Sequence, residues 1–242
     1  MGQIDRALAR LRGKLHRGAS SDESRWCPLC EQGSAQFLPY GGHKRPDVRC
    51  PHCGSAERHR LIWLYLTRYS RSLKHPPRLL HMAPEKCLTL KLQPAAAQYV
   101  TLDLYASGVD VQADITKPIP LGDGAFDLIL CSHLLEHVDD DAFAMRELVR
   151  LTAPDGECLV LTPIDPQLPT AEDLSITDPA ERTRLYGQSD HVRLYGLDVI
   201  DRLTSAGFDV ESFVANEHLE AAEIQRMRLE PLERLLVCRP TR

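Results

Sequence analysis

The stretch FDLILCSHLLEH, residues 126–137, sets the expected architecture of this 242-residue chain. Phe126-Asp127 leads into the apolar run Leu128 to Leu130, and small and polar residues, Cys131, Ser132 and His133, stand where the run stops. An unbroken apolar run closed by a turn fits a strand buried on both faces of a parallel sheet. Open α/β sheets bind ligands at the carboxyl ends of their strands, so Cys131 to His133 are expected to face a crevice.

Outward from this strand the same rhythm repeats. Residues 78–82 form an expected strand, 83–87 a loop and 88–92 a short helix. YVTLDL (99–104) is a second strand ending near Asp103, and residues 109–113 are a third, with Asp114 just beyond. After the opening stretch a helix over residues 140–152 is expected to stop at APDG (153–156), ahead of a fifth strand, ECLVLTPI (157–164). Residues 165–192 are rich in Pro, Asp and Thr and too long for an ordinary connection, the mark of a lid or substrate loop. A helix over 197–206 ends at Gly207, and strands follow at 208–214 and 234–239. Strands separated by helical segments predict a doubly wound parallel α/β sheet with right-handed crossovers.

Upstream, Pro76-Pro77 marks a boundary, which divides the chain into residues 1–23, 24–75 and 76–242. Residues 3–17 place Ile4, Leu8, Leu11 and Leu15 at helical spacing among basic residues, and GASSDE (18–23) is a linker. CPLC (27–30) and CPHC (50–53) are two C-x-x-C pairs at a spacing that suits a tetrahedral zinc site made of Cys27, Cys30, Cys50 and Cys53. A redox dithiol is the rival reading of either pair alone. With four thiolates no coordination position is left for chemistry, so the expected role of the zinc is structural. The helical segment after Cys53 has Ser55 as its expected cap, and Arg58, His59 and Arg60 crowd its start, where the helix dipole disfavours cations. An anionic partner or an acidic contact from the body would relieve that conflict.

Hydrophobic content of 43% and charged content of 26% match an ordinary soluble globular protein. No apolar run approaches the roughly 18 residues of a membrane span, and no secretory signal opens the chain, so a cytoplasmic location is expected. The net charge of -5 hides an asymmetry: residues 1–75 carry 14 Lys and Arg against 6 Asp and Glu, and the remainder 15 against 28. A basic head points to an anionic partner such as nucleic acid, or to attraction between head and body.

Asp103 and Asp114 at successive strand tips, then FDLILCSHLLEH and LVRLTAPDGECLVLTP, resemble the class I S-adenosylmethionine-dependent methyltransferases, of the type 11-like kind, over about residues 78–240. The resemblance implies a Rossmann-like seven-stranded sheet of order 3-2-1-4-5-7-6, with the last strand antiparallel and a small four-cysteine zinc ribbon in front. It implies S-adenosylmethionine as cofactor, with Asp103 on the ribose hydroxyls and Leu104 beside it. Asp114 would hold the adenine amino group, Ile115 would pack the ring, and Cys131 and Ser132 would lie alongside, Cys131 as a small buried residue. The first loop departs from the family, because LLHMAPEKC puts His81, Ala83 and Glu85 where glycines are usual. Glu85 is placed to meet the cofactor's ammonium group or to lie on the surface.

Methyl transfer needs a base only if the acceptor loses a proton, and His133 at the strand tip is the candidate for that role. Glu136 and His137 belong to an LEH turn for which a structural role weighs more. DHVRLYG (190–196) concentrates Asp190, His191, Arg193 and Tyr195 near the same edge; with His137, the last three are the expected substrate contacts, Arg193 suiting an anionic group, and a helix-entry turn held by its own hydrogen bonds is the equal alternative. The expected acceptor is a small metabolite, anionic or sugar-like. RNA is the alternative favoured by the basic ribbon, and a binding module without chemistry is the one favoured by the glycine-free loop.

Overall fold

The computed structural model of the chain describes residues 24–41 and 44–241, so the expected basic helix and linker at residues 1–23 lie outside the described residues. The first elements are β1 (Arg25–Cys27), β2 (Gln32–Ser34), β3 (Leu38–Tyr40), β4 (Arg45–Arg49) and α1 (Glu57–Arg68). Then come β5 (Arg78–Met82), α2 (Lys86–Leu92), β6 (Gln98–Asp103), β7 (Val111–Gln112), β8 (Phe126–Ser132), α3 (Asp141–Leu151) and β9 (Thr152–Leu161). The chain continues with β10 (Ala171–Glu172), α4 (Pro179–Tyr186), β11 (Arg193–Leu194), α5 (Val199–Ala206) and β12 (Phe208–Val214). It ends with α6 (Ala215–His218), α7 (Ala221–Met227) and β13 (Arg234–Pro240). Among the described residues no helix is long and apolar enough to cross a membrane.

The chain divides into two compact units. The first joins the described residues up to Pro76 with Glu85–Ala96 and Phe213–Leu235, segments that the sequence alone assigns to the body. Its hairpins, β1 with β2 and β3 with β4, are antiparallel. Asp47, 7% exposed, ties them together: its carboxylate accepts from Phe37 N at 2.8 Å and from Arg25 Nε at 2.8 Å, and lies 3.2 Å from Arg228 Nε. Burial raises the Asp47 pKa, but the Arg25 guanidinium outweighs it and holds the carboxyl below its usual range.

Helix α1 is capped by Ala56, not by Ser55: the Ala56 N–H donates to Nδ1 of His59, while the Ser55 hydroxyl faces two cysteine sulfurs. The basic cluster at its start is resolved by contacts inside the unit. Arg60, fully buried, donates to the carbonyls of Ser55 and Arg228 and covers the Phe37 ring. Arg58 lies over Tyr40, and Nε2 of His59 is 3.3 Å from Glu85.

The second unit holds most of the seven-stranded sheet, whose order is β12-β13-β9-β8-β5-β6-β7. Renumbered from β5, this is the expected 3-2-1-4-5-7-6, with β13 antiparallel to β9. β8 is central because all but one of its residues are buried. The exception, Asp127, accepts hydrogen bonds from the backbone N–H and guanidinium of Arg78. Leu80, Met82, Ile129, Cys131 and Val160 of the sheet form one core with Met145 and Leu148 of α3 and Leu203 of α5.

Boundaries shift where backbone geometry outweighs local pattern. APDG does not end a helix ahead of a strand. It is absorbed into β9, which starts at Thr152 with a register shift opposite Phe126 to Leu128. A Cβ at Gly156 would lie 3.0 Å from the Asp127 carbonyl, so a larger residue there would press on the neighbouring backbone. The third strand shortens to Val111–Gln112. The long loop is not structureless: it contributes β10, which pairs with β11, and α4, capped by Asp178.

Candidate active site

Strand register brings the site together. Met82 pairs with Leu102 on one side and Cys131 on the other, so Ala83, Asp103 and Ser132 emerge side by side at the carboxyl edge. Asp103 pairs with Gln112, which places Asp114 two residues further along the neighbouring chain.

At Ala83 the backbone turns left-handed, φ 44°, while its N–H donates to the Leu102 carbonyl at 2.8 Å. An alanine therefore adopts the turn that glycine would take freely, at a cost of roughly 1–2 kcal/mol. The missing glycine is a matter of strain here, and the bend itself is made. The Asp103 Oδ1 accepts from the N–H groups of Tyr105 and Ala106 at 2.7 and 2.8 Å, closing a turn that leaves Oδ2 without a partner among the described residues. Beside it Leu104 and Tyr105 are 41% and 86% exposed. Apolar side chains held out next to a half-used carboxylate suit a ligand with a ring and hydroxyl groups. Asp114 Oδ1 accepts from the N–H and hydroxyl of Thr116, which lower its pKa, and Oδ2 faces Lys117 at 3.4 Å. Ile115 is buried in the core beneath this turn.

On the other side of the β8 tip stands a buried carboxylate. Glu136, 1% exposed, accepts from the Thr162 hydroxyl at 2.9 Å through Oε2, and its Oε1 lies 3.0 Å from Nδ1 of His133. Burial pushes the Glu136 pKa up, and the adjacent His133 outweighs it, keeping the group below the usual carboxylate range. His133 has φ 51°, and its N–H donates to the Leu161 carbonyl at 2.7 Å, so the ring leaves the sheet at a fixed point. His137 and His191 pack edge to face with centroids 4.7 Å apart, and His137 Nδ1 lies 3.4 Å from Asp190. The 190–193 segment is anchored here because the Val192 N–H donates to the Glu136 carbonyl. The sequence alone pointed to neither Thr162 nor the central place of Glu136; the signal available was a Thr-Pro at the end of the fifth strand.

Residues 75–160 match the family model described as a methyltransferase domain. Over that stretch the chain is similar to methyltransferase domains. An S-adenosylmethionine dependent methyltransferase from Mesorhizobium loti is similar in structure at 18% identity and a TM-score of 0.50, covering 73% of this chain and 96% of its own. A Pyrococcus horikoshii protein is similar at 15% identity and a TM-score of 0.51, covering 78% and 94%. The [4+2]-cyclase SpnF is similar at 12% identity and a TM-score of 0.54, covering 99% and 94%. At such identities the likeness concerns the fold, which a cyclase shares.

Several expected contacts have other partners. His81 is fully buried in β5, with Nδ1 2.7 Å from the Tyr99 hydroxyl. Cys131 lies in the core, and Ser132, 4% exposed, keeps a buried hydroxyl at the edge without a hydrogen bond among the described residues. Glu85 belongs to the first unit and faces His59 there. The clearest correction concerns Arg193, expected to meet an anionic acceptor. It is fully buried, with Nε on Glu172 at 2.5 Å, Nη1 on the Leu135 and Val138 carbonyls, and Nη2 on the Asp139 carbonyl. Tyr195, also fully buried, donates to Asp141 at 2.8 Å. Both side chains point inward and position the 135–141 segment.

The four cysteines form a second, separate cluster. Their sulfurs lie within 4.8 Å of one another, with Cys27 to Cys53 at 3.6 Å and Cys30 to Cys50 at 3.7 Å, and all are free thiols. A tetrahedron with metal–sulfur bonds of about 2.3 Å has edges of about 3.8 Å, close to those two separations. The two knuckles match: Glu31 N–H donates to the Cys27 carbonyl and Gly54 N–H to that of Cys50, with φ of 59° and 75°. A dication would replace the thiol protons.

Proposed function

We propose that this domain transfers the methyl group of S-adenosylmethionine to a small metabolite, anionic or sugar-like, with His133 as the base and a structural zinc in the four-cysteine cluster. The sulfonium cofactor supplies the electrophilic methyl. Asp103 would accept the ribose hydroxyls through its free Oδ2, Asp114 would meet the adenine edge, and Leu104 and Tyr105 would cover the nucleoside. The observation that carries the reading is Glu136 behind His133: an ionised, buried carboxylate 3.0 Å from Nδ1 stabilises the imidazolium that forms when the ring takes a proton. His137 and His191 would border the acceptor.

Calorimetry with S-adenosylhomocysteine tests the cofactor half. Asp103→Ala is expected to weaken binding about tenfold to hundredfold, roughly the worth of one hydrogen bond to a charged group. Asp103→Asn, which keeps the Oδ1 acceptor of the turn, controls for folding and should be weakened too. Wild-type affinity in both variants would show that the ribose contact is wrongly assigned. For the acceptor half, transfer of label from methyl-tritiated S-adenosylmethionine to a metabolite extract should fall about a hundredfold in His133→Ala. An unchanged rate would remove His133 from the chemistry, and label appearing in RNA instead would replace the metabolite as acceptor.

A further inference from the structure

We propose that Glu136, His137 and His191 form a binding site for a divalent first-row transition-metal ion. The three residues come from two distant parts of the chain, yet one ligand atom from each lies within 4.8 Å of the others. Two imidazoles and a carboxylate, with no sulfur, suit manganese, iron, cobalt, nickel or zinc rather than the all-oxygen sites of magnesium and calcium.

Two observations separate this trio from an ordinary packed histidine pair. The Glu136 side chain is 1% exposed, and its Oε1 has no hydrogen-bond partner among the described residues; the 3.0 Å approach of His133 Nδ1 is an ion-pair distance without hydrogen-bond alignment. A buried carboxylate is costly unless cations or donors complete it, and with His133 on one side of Oε1 a metal ion would share that oxygen. The second observation is the tautomer. His191, 6% exposed, places Nδ1 3.0 Å from the Tyr186 carbonyl, which can only accept. The ring proton is therefore on Nδ1, and Nε2 keeps its lone pair, as a ligand must. Asp190, 3.4 Å from Nδ1 of His137, stands as the outer partner that metal-bound histidines commonly have.

Ligand atoms around such an ion sit about 3–3.5 Å apart for bonds near 2.1 Å, so separations of up to 4.8 Å must close by up to about 1.3–1.8 Å. His137, on the single helical turn Leu135–His137 and 29% exposed, is the side chain with room to move. Three protein ligands leave positions for water or for oxygens of a bound acceptor. That last use rests on the methyl-transfer reading above; the binding of the ion does not.

Cobalt(II) is the probe, added to the full-length protein after its resident metal has been counted. Wild type should take up one further equivalent with weak visible bands and no thiolate charge-transfer band. His137→Ala and His191→Ala should each weaken that uptake beyond the roughly 10- to 100-fold that loss of an outer partner costs. Glu136→Gln should do the same, with a thermal melt to check its fold; His137→Ala, at a partly exposed side chain, keeps the test usable if the buried variant unfolds. No further equivalent at millimolar cobalt, a thiolate band showing exchange into the four-cysteine cluster, or full uptake in both histidine variants would overturn the proposal. S-adenosylhomocysteine binding, measured on the same samples, reports separately on the methyl-transfer reading.

Discussion

Cys27→Ser is expected to abolish stoichiometric zinc and to unfold the ribbon of the first unit. Its hairpins are two short pairs with three to five residues per strand, too short to hold by themselves, and the hairpin core is small. Zinc bound by four thiolates contributes on the order of 10–16 kcal/mol in small domains, as much as or more than the roughly 5–15 kcal/mol of a whole domain's stability. Cys27 is fully buried, with its sulfur 3.6 Å from Cys53 and 3.2 Å from the Ser55 hydroxyl, so a serine oxygen there is a poor substitute for a thiolate. The effect should spread to α1, because Ser55 lies between the sulfurs and the buried guanidinium of Arg60. Metal analysis should find about one zinc per chain in wild type and far less in the variant. Hydrogen exchange should show the amides of α1 losing protection. Retention of a full equivalent of zinc in Cys27→Ser would dismiss the four-thiolate site.

Arg193→Ala is expected to lower stability by about 3–5 kcal/mol, the usual consequence of breaking a buried ion pair by removing one partner. The guanidinium joins Glu172 to the carbonyls of Leu135, Val138 and Asp139, so truncation removes a donor from all four acceptors and leaves Arg202 alone on Glu172 and Tyr195 alone on the Leu135 carbonyl. Those carbonyls belong to the segment carrying Glu136 and His137, and methyl transfer should fall as that segment loosens. Arg193→Lys should rescue little, since one ammonium cannot span a fork of donors. Urea denaturation decides between a structural role and the acceptor contact expected from the sequence. A midpoint within error of wild type, combined with lost acceptor binding, would return Arg193 to the acceptor.

Much of this was legible in the sequence because it is local. Four cysteines in two C-x-x-C turns are expected to gather, since the knuckle geometry is set within a few residues, and their sulfurs do lie together. The apolar run of β8 and its polar tip imply a buried strand with a functional end. The alternation of elements implies a doubly wound sheet, and the family resemblance supplies its strand order. Asp103 and His133 stand at strand tips by simple periodicity, and both emerge at the carboxyl edge. Side-chain direction was less legible. Arg193 and Tyr195 look like site residues because they are polar and lie in a loop, yet β10 and β11 turn them inward. Ser55 looks like a cap and instead faces sulfur.

By itself the sequence determined the sheet, the cysteine cluster and the carboxylates at the strand tips, because periodicity and short spacing act over a few residues. Only the tertiary structure decided that an alanine makes the left-handed turn of the first loop. It also decided that Glu136 is buried behind His133 and that His137 and His191 meet there. Those facts depend on which distant segments pack together, and burial, which gives a carboxylate oxygen its chemical weight, is a property of that packing alone.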